Sequence, residues 1–290
     1  MRLAGIHCVL FAFFGAEGGL DEGAMRRQIA RVRAEGADGI TVLGLATEVG
    51  KLSPEEQRRI VSLAAAEAGG LPLWVTVTGD SVAGQRAILG HAARAGAALA
   101  ILQPPAGEGN AGALIEFFAE VGAGAPLPLA VQNAPAFLGR SLAGGDLATL
   151  RARLPALVAV KAEMPAADLA GFVEAAGPDL AVLAGRGGLE MTDSLRAGAT
   201  GFVVAPDVLP GVRACYDAWA AGNEAGAEAA YARLLPGAVF AMQSLDHLAL
   251  YGKRIFAARA GIDVHDRPPL PAPGAFGLRL VARHGVESGG

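Results

Sequence analysis

The sequence predicts an α/β protein, a (β/α)8 TIM barrel followed by a C-terminal helical extension. Three observations support this prediction: short apolar runs alternate with amphipathic segments from Ile6 onward, eight such runs occur, and the residues after them show helical patterning. Strands that alternate with helices are typical of parallel sheets, and eight such units are the number in this barrel. The predicted strands are Ile6 to Ala12, Gly39 to Leu43, Leu73 to Thr78, Ala98 to Leu102, Leu127 to Val131, Leu157 to Lys161, Ala181 to Leu183 and Gly201 to Val204.

Helix-start signals separate these runs. Asp21 precedes Glu22, the run Ser53-Pro54-Glu55-Glu56 places a proline in a first turn, and Ser81 precedes a third helix. A doubly wound sheet alternates in the same way, but it usually has a GxGxxG turn after an early strand, and residues 13–19 lack that pattern. The barrel is therefore the favoured α/β architecture.

The expected domain organisation is one unit without a long polar linker. Residues 1–222 are predicted to form the barrel, and residues 223–290 are predicted to form helices packed on it, including a short one near Phe276 to His284. His247 and Lys253 fall in this helical part, where surface or packing roles are expected.

Composition narrows the function classes. The chain has 290 residues, 52% of them hydrophobic, and a formal net charge of -4, without a Lys/Arg cluster that would favour nucleic acid. Cys8 and Cys215 are far apart and lack metal-ligand spacing, so no disulfide, metal or cofactor is predicted. The apolar N-terminal stretch is too short to span a bilayer, which predicts no membrane association and a cytoplasmic location.

One lysine interrupts the sixth predicted strand. Lys161 follows the apolar residues 157–160, and a strand of a parallel sheet is covered on both faces, so its amine loses hydration. Loss of hydration favours the neutral amine, which attacks carbonyl groups and forms Schiff bases. An ion pair with Glu163 on the same face of the strand, or a side chain that reaches solvent, explains the same lysine without catalysis.

The other strand ends add polar groups to this region. In a barrel the carboxyl ends of the strands form the active face, and Lys161 stands at the end of strand six. The segments expected on the same rim are Gly44 to Glu48, Gln103 to Pro105, Gln132 to Pro135, Gly185 to Gly188 and Ala205 to Asp207.

Three of these motifs, in order, resemble the dihydrodipicolinate synthase/N-acetylneuraminate lyase family of class I Schiff-base enzymes. The GTTGE...LS.EE signature of the family is similar to Gly44-Leu45-Ala46-Thr47-Glu48 with Lys51-Leu52-Ser53-Pro54-Glu55-Glu56. Its YNxP loop resembles Gln132-Asn133-Ala134-Pro135, and its strand-six lysine resembles Lys161 in Val158-Ala159-Val160-Lys161. The resemblance spans essentially the whole chain and implies a TIM barrel lyase in which Lys161 forms the imine.

The departures from the family pattern are equally specific. Leu45 and Ala46 stand where the family has a threonine pair, Gln132 stands where it has a tyrosine, and Phe137 stands where the synthase has an arginine. An amide cannot act as general acid or base near neutral pH. Gln-x-Ala-Pro followed by Lys-x-Glu-x-Pro, at 132–135 and 161–165, resembles instead the 2-keto-3-deoxy sugar acid dehydratases of the family, notably those acting on L-2-keto-3-deoxyarabonate.

The resemblance implies a mechanism and a set of site residues. Lys161 is expected to attack C2 of a small-molecule 2-keto acid, with Gln132 in the tyrosine position and Glu163 as the preferred proton carrier among Glu163, Glu48 and Asp207. Backbone N–H groups of the Gly44 to Glu48 turn are expected to bind the substrate carboxylate, with Glu48 either catalytic or a charge at the start of the next helix or turn. The predicted substrate-binding residues are Ala46, Thr47, Glu48, Asn133, Arg186 and Val204.

Several alternatives remain at this point. Within the family they are a pyruvate-dependent aldolase, a dihydrodipicolinate synthase-like enzyme and a deaminase of cyclic imino acids. Outside it they are a non-catalytic barrel that binds a ligand and a metal-dependent barrel aldolase. The Ala-rich segments Gly226 to Leu234 and Ala238 to Leu250 offer apolar faces, and with the resemblance they predict a homo-oligomer, a tetramer or a dimer.

Overall fold

Eight parallel strands close into a barrel in chain order, because β1 pairs with both β2 and β8. This arrangement, in a computed structural model that describes residues 3–107 and 109–287, confirms the predicted fold class. The strands are β1 Gly5–Val9, β2 Gly39–Val42, β3 Leu73–Val77, β4 Leu99–Leu102, β5 Leu129–Asn133, β6 Leu157–Ala162, β7 Ala181–Ala184 and β8 Gly201–Val204.

The helices follow the strands and cover the outside of the barrel. Those of the barrel units are α1 Glu22–Ala34, α2 Pro54–Glu67, α3 Val82–Arg94, α4 Ala111–Gly122, α5 Pro135–Leu138, α6 Gly144–Arg153, α7 Ala166–Ala176, α8 Met191–Arg196 and α9 Leu209–Ala220. Three predicted starts are confirmed, since Asp21, Ser53 and Ser81 each accept a backbone N–H of the helix that follows.

Further helices follow α9. They are α10 Glu224–Ala241, α11 Leu245–His247, α12 Lys253–Ala260 and α13 Ala275–Glu287, with a π-helical turn at Leu248–Gly252. Helix α13 includes the predicted segment near Phe276 to His284, whereas the predicted boundary between residues 222 and 223 stays a prediction, and residues 288–290 lie outside the described residues. No described helix has the length and apolar character needed to cross a membrane.

Two strand predictions were wrong at their ends. The prediction carried β1 to Ala12, but the strand ends at Val9, and both backbone groups of Phe11 bond at 2.9 Å to the side chain of Gln28 instead of to a strand. The prediction placed β5 at Leu127 to Val131, but the strand runs from Leu129 to Asn133, because Pro128 has no N–H for the ladder. Gln132 is therefore a strand residue rather than a loop residue.

The barrel interior is filled with side chains rather than open. One apolar cluster occupies it, formed by Val9, Trp74, Leu99, Ile101, Ala130, Ala159, Leu183 and Val203. Barrel closure needs a glycine at Gly201, where a Cβ atom would lie 2.3 Å from the carbonyl oxygen of Gly5. The packed interior leaves the carboxyl ends of the strands as the place where polar side chains gather.

Candidate active site

A buried ion pair lies at the carboxyl end of the sixth strand, between Lys161 in β6 and Glu163 just after it. Lys161 and Glu163 are each 6% exposed, and Nζ of Lys161 lies 2.5 Å from Oε1 of Glu163. The two side chains meet because residues two apart along a strand point to the same face. The ion pair that the sequence analysis gave as one explanation of Lys161 is therefore present. It holds the amine beside a group that can accept its proton.

Gln132 joins this pair from the neighbouring strand. The register of β5 and β6 sets Gln132 opposite Lys161, and the amide Nε2 donates to Oε1 of Glu163 at 3.4 Å. Gln132 is fully buried, and its own Oε1 has no hydrogen-bond partner. This oxygen therefore lacks the hydrogen bond that buried polar atoms normally have. Gln132 is not among the residues that line the cavity next to Lys161.

Gly185 makes room for Glu163. A Cβ atom at Gly185 would lie 2.8 Å from Cγ and 3.1 Å from Cδ of Glu163. Any larger residue would push the carboxylate away from Lys161. The sequence predicted only that Gly185 belongs to a rim turn, since no local pattern reports a contact between β6 and the turn after β7.

A small cavity of about 40 Å³ lies against Lys161. Five predicted site residues line it together: Lys161, Glu163, Ala46, Arg186 and Val204. The prediction had placed Leu45, Gly187 and Ala205 in rim segments, but it missed the rest of the wall, which consists of Val9, Val203, Met242, Leu245 and Leu248. The last three close the cavity from the C-terminal helices, and helical periodicity could not show where these helices dock.

Two predicted binding residues use their side chains elsewhere. Thr47 donates its hydroxyl to the carbonyl of Leu10 at 2.7 Å, and Asn133 accepts from the N–H of Leu142 at 2.7 Å and donates to its carbonyl at 2.9 Å. Neither residue is among those that line the cavity. These bonds stabilise loops, and a role for Thr47 or Asn133 in substrate binding stays a prediction.

Glu48 is bound by two lysines. Its backbone is left-handed at φ 55°, and its side chain caps no N–H of the following turn. The carboxylate binds Lys51 at 2.6 Å through Oε2 and Lys253, which is fully buried, through Oε1. Burial lowers the pKa of Lys253, although the charge of Glu48 opposes this effect. Glu48 therefore lies at the start of a turn, as the sequence allowed. Its side chain forms a buried ion pair that connects the segment after β2 to α12.

Arg186 is a cation in the cavity wall. Its backbone is left-handed at φ 53°, and its guanidinium binds Glu190 one turn further on. The side chain keeps 29% of its surface exposed. Arg186 is therefore placed to contact an anionic or polar part of a substrate, as the sequence predicted, but it already has a carboxylate partner.

Asp207 lies apart from the Lys161 cavity. It lines a separate cavity of about 100 Å³ between α9 and α10, and Oδ1 of its carboxyl has no hydrogen-bond partner. Burial raises the pKa of Asp207 to about 6, although the nearby Arg259 opposes this effect. Of the three carboxylates that the sequence offered as proton carriers, Glu163 lines the Lys161 cavity, whereas Glu48 and Asp207 do not.

Asp207 should make stability depend on pH. Its pKa is about 6 in the folded chain and 3.8 in the reference state, so the folded chain binds the proton more tightly. The bound proton adds about 3 kcal/mol to the free energy of unfolding below pH 4, and this contribution is lost as the pH rises through 6. About 1.4 kcal/mol of this remains at pH 5. We expect urea unfolding to show that Asp207→Asn gains stability relative to the wild type between pH 5 and pH 8. An equal difference at the two pH values would contradict the raised pKa.

Metal-ligand geometry is absent from the part of the chain that the structure describes. No group of three or more His, Cys, Asp or Glu side chains there is arranged to hold a metal ion.

Comparison with known proteins agrees with the fold and the motifs. The model of the dihydrodipicolinate synthetase family matches residues 2–271. A 4-hydroxy-tetrahydrodipicolinate synthase of Xanthomonas campestris pv. campestris is 32% identical over 214 residues, which cover 72% of this chain and 70% of the relative. An L-2-keto-3-deoxyarabonate dehydratase of Azospirillum brasilense is 26% identical over 281 residues, which cover 94% of this chain and 89% of the relative.

Solved structures show the same fold at lower identity. YagE of E. coli K12, a protein of the dihydrodipicolinic acid synthase family solved in complex with pyruvate, superimposes with a TM-score of 0.89 at 21% identity, covering 98% of this chain and 97% of YagE. The 4-hydroxy-tetrahydrodipicolinate synthase of Methylacidiphilum fumariolicum SolV gives a TM-score of 0.90 at 20% identity, covering 99% and 96%. With a family match over most of its length, this chain belongs to the dihydrodipicolinate synthetase family and is an enzyme of the lyase class.

Proposed function

We propose that this lyase binds a 2-keto acid as a Schiff base on Lys161. The observation that carries the proposal is the buried contact of 2.5 Å between the Lys161 amine and Glu163 at the wall of a cavity. Glu163 can take the proton of the ammonium group as the amine attacks C2. The carbonyl oxygen then leaves as water, and a protonated imine joins C2 to Nζ.

The second part of the proposal is the elimination of water from C4. The protonated imine withdraws electrons, so a base can remove a proton from C3 and form the enamine. The enamine electrons then expel the hydroxyl of C4, which takes up a proton and leaves as water, and hydrolysis of the imine returns free Lys161. We assign the proton transfers to Glu163, because Gln132, which bonds to it, cannot ionise.

The carboxylate of the substrate is assigned to the turn after β2. Within this turn the N–H of Thr47 donates to Gly44 and the N–H of Glu48 donates to Leu45, each at 3.0 Å. The first N–H groups of a helical turn have no partner within it, so we propose that the amides of Leu45 and Ala46 bind the carboxylate.

The proposed substrate is a 2-keto acid with a hydroxyl at C4, such as the 2-keto-3-deoxy sugar acid L-2-keto-3-deoxyarabonate. Two observations support this class. The relative from Azospirillum, which aligns with 94% of the chain, is named as the dehydratase of that acid. Glu163, which lines the cavity beside Lys161, can bond to the C4 hydroxyl and protonate it as it leaves.

Reductive trapping tests the Schiff base directly. Borohydride added with pyruvate should leave a covalent adduct, and peptide mass spectrometry should map it to Lys161. An adduct on another lysine, or none on a folded protein, would overturn the proposal.

A pyruvate-dependent aldolase or synthase is the second candidate. It is supported by the 32% identity to the Xanthomonas synthase. Product analysis with 2-keto-3-deoxypentonate separates the two reactions. Elimination first gives an unsaturated acid with a C3=C4 bond, which becomes 2-oxoglutarate semialdehyde when the C5 alcohol group loses its C–H and O–H protons and C3 and C4 each take up one. Cleavage of the C3–C4 bond instead gives pyruvate and an aldehyde. The semialdehyde is the product we expect.

We also propose that the protein assembles as a dimer or tetramer. Exposed apolar side chains on α10 and α13 support this, namely Val239, Phe276 and Leu278, which are 44%, 65% and 42% exposed. Sedimentation analysis should give the mass of more than one chain.

A further inference from the structure

The wall of the Lys161 cavity is almost entirely apolar. Ten of its thirteen residues have no side-chain N–H, O–H or oxygen atom: Val9, Leu45, Ala46, Gly187, Val203, Val204, Ala205, Met242, Leu245 and Leu248. The volume is about 40 Å³, whereas a water molecule needs roughly 10–15 Å³ on the same kind of measure. The cavity is therefore both small and poor in hydrogen-bonding groups.

The three polar side chains of the wall already have partners. Lys161 and Glu163 bind each other and take part in the proposed reaction, and Arg186 binds Glu190. The substrate carboxylate is assigned to backbone amides, and the C4 hydroxyl is assigned to Glu163. A further hydroxyl on the substrate would have only Arg186 as a charged side-chain partner in the wall, in competition with Glu190.

We infer that, among 2-keto acids with a C4 hydroxyl, this site selects those whose chain beyond C4 is short and apolar. The inference rests on the proposed function and narrows its substrate class. A hydroxyl that loses water without gaining a partner weakens binding, whereas a methyl group at the same place gains from burial. The 2-keto-3-deoxypentonate named above should thus remain a substrate but be turned over less well than 4-hydroxy-2-oxopentanoate, and a 2-keto-3-deoxyhexonate should be turned over less well than the pentonate.

Leu245 is the wall residue best suited to test this. It is only partly buried, it lies on the short helix α11 in the cavity wall, and an asparagine there is close to it in size and adds an amide. Leu278 on α13 is a matched control, because it is 42% exposed and is not among the cavity-lining residues.

The experiment measures kcat/KM for the three acids, which share carbons 1 to 4. We expect a fall of roughly 10-fold or more for each added hydroxyl. Leu245→Asn should raise the ratio of kcat/KM for 2-keto-3-deoxypentonate to kcat/KM for 4-hydroxy-2-oxopentanoate by about 10-fold. Leu278→Asn should leave this ratio at the wild-type value.

The outcomes separate this inference from the function beneath it. If Lys161 forms the adduct but the three acids have equal kcat/KM values or the reverse order, the inference alone is overturned. The same holds if Leu245→Asn leaves the ratio of kcat/KM for the pentonate to that for the oxopentanoate unchanged. The absence of any pyruvate adduct on Lys161 in the folded protein would overturn the proposed function, and this inference with it.

Discussion

Replacement of Glu163 by glutamine should abolish most turnover and still allow the Schiff base to form. Glutamine has nearly the shape of glutamate and can keep the contacts with Lys161 and Gln132, but it cannot carry a proton. The loss of a positioned general acid or base typically costs roughly 10²- to 10⁴-fold in rate, and we expect a loss in that range. Because Glu163 is also the proposed acceptor of the Lys161 proton, borohydride trapping with pyruvate should label Lys161 more slowly, but the label should still form since the amine is retained.

Two controls frame this result. Lys161→Ala should lose both the adduct and the turnover, because it removes the amine itself. Glu174→Gln makes the same substitution on the exposed face of α7 and should behave as the wild type. If Glu163→Gln turned over within a few fold of the wild type, another group would have to move the protons.

Replacement of Lys253 by methionine should strongly destabilise the fold. Lys253 is fully buried against Glu48, and its Nζ also lies 5.4 Å from the ring centre of Phe14. Removal of one member of a buried ion pair typically costs about 3–5 kcal/mol, since the remaining charge stays desolvated. We expect urea unfolding to show a loss near the lower end of that range, because Lys51 still binds Glu48 in the variant.

Lys51 supplies a matched comparison, because it binds the other oxygen of the same carboxylate but is 15% exposed. Lys51→Met should cost only about 1 kcal/mol, because Lys51 is partly exposed and Glu48 keeps Lys253 as a partner. The double variant Glu48→Gln, Lys253→Met should be more stable than Lys253→Met alone, since it removes the buried carboxylate and leaves only the charge of Lys51, which is partly exposed. Equal losses for the two lysines would contradict a dominant role for the buried pair.

The Glu48–Lys253 pair also bears on the site. Glu48 ends the turn that brings Leu45 and Ala46 to the cavity, and Lys253 follows the π-helical turn that begins with Leu248 in the cavity wall. Glu48 and Lys253 are 205 residues apart in the sequence, and their ion pair connects two walls of the site. A weakened pair should lower kcat/KM as well as stability.

The strand positions show which strand ends could be predicted from sequence patterns. In six of the eight strands the observed ends lie close to the predicted ends, because each strand is a short apolar run between turn signals. The end of β1 depended on the side chain of Gln28, and the start of β5 depended on Pro128. The first is a contact between distant residues, whereas the second was a local signal that the prediction did not use.

The functional residues divide in the same way. Lys161 and Glu163 could be paired from the sequence, since the alternation of a strand puts both on one face. The space left by Gly185 and the cavity wall from Met242, Leu245 and Leu248 involve other elements. Thr47 and Asn133 have suitable chemistry in family-like motifs, yet their hydrogen-bonding groups are bonded to the backbones of Leu10 and Leu142.

The sequence by itself determined the barrel class, the strand that carries Lys161 and the family motifs around it, because these depend on periodicity and spacing along one segment. Only the tertiary structure decided which side chains surround the amine. The apolar wall and the Glu48–Lys253 pair arise where the helices after α9 pack against the rim of the barrel. Such contacts join residues far apart in the chain, and their energy depends on burial that no local pattern reports.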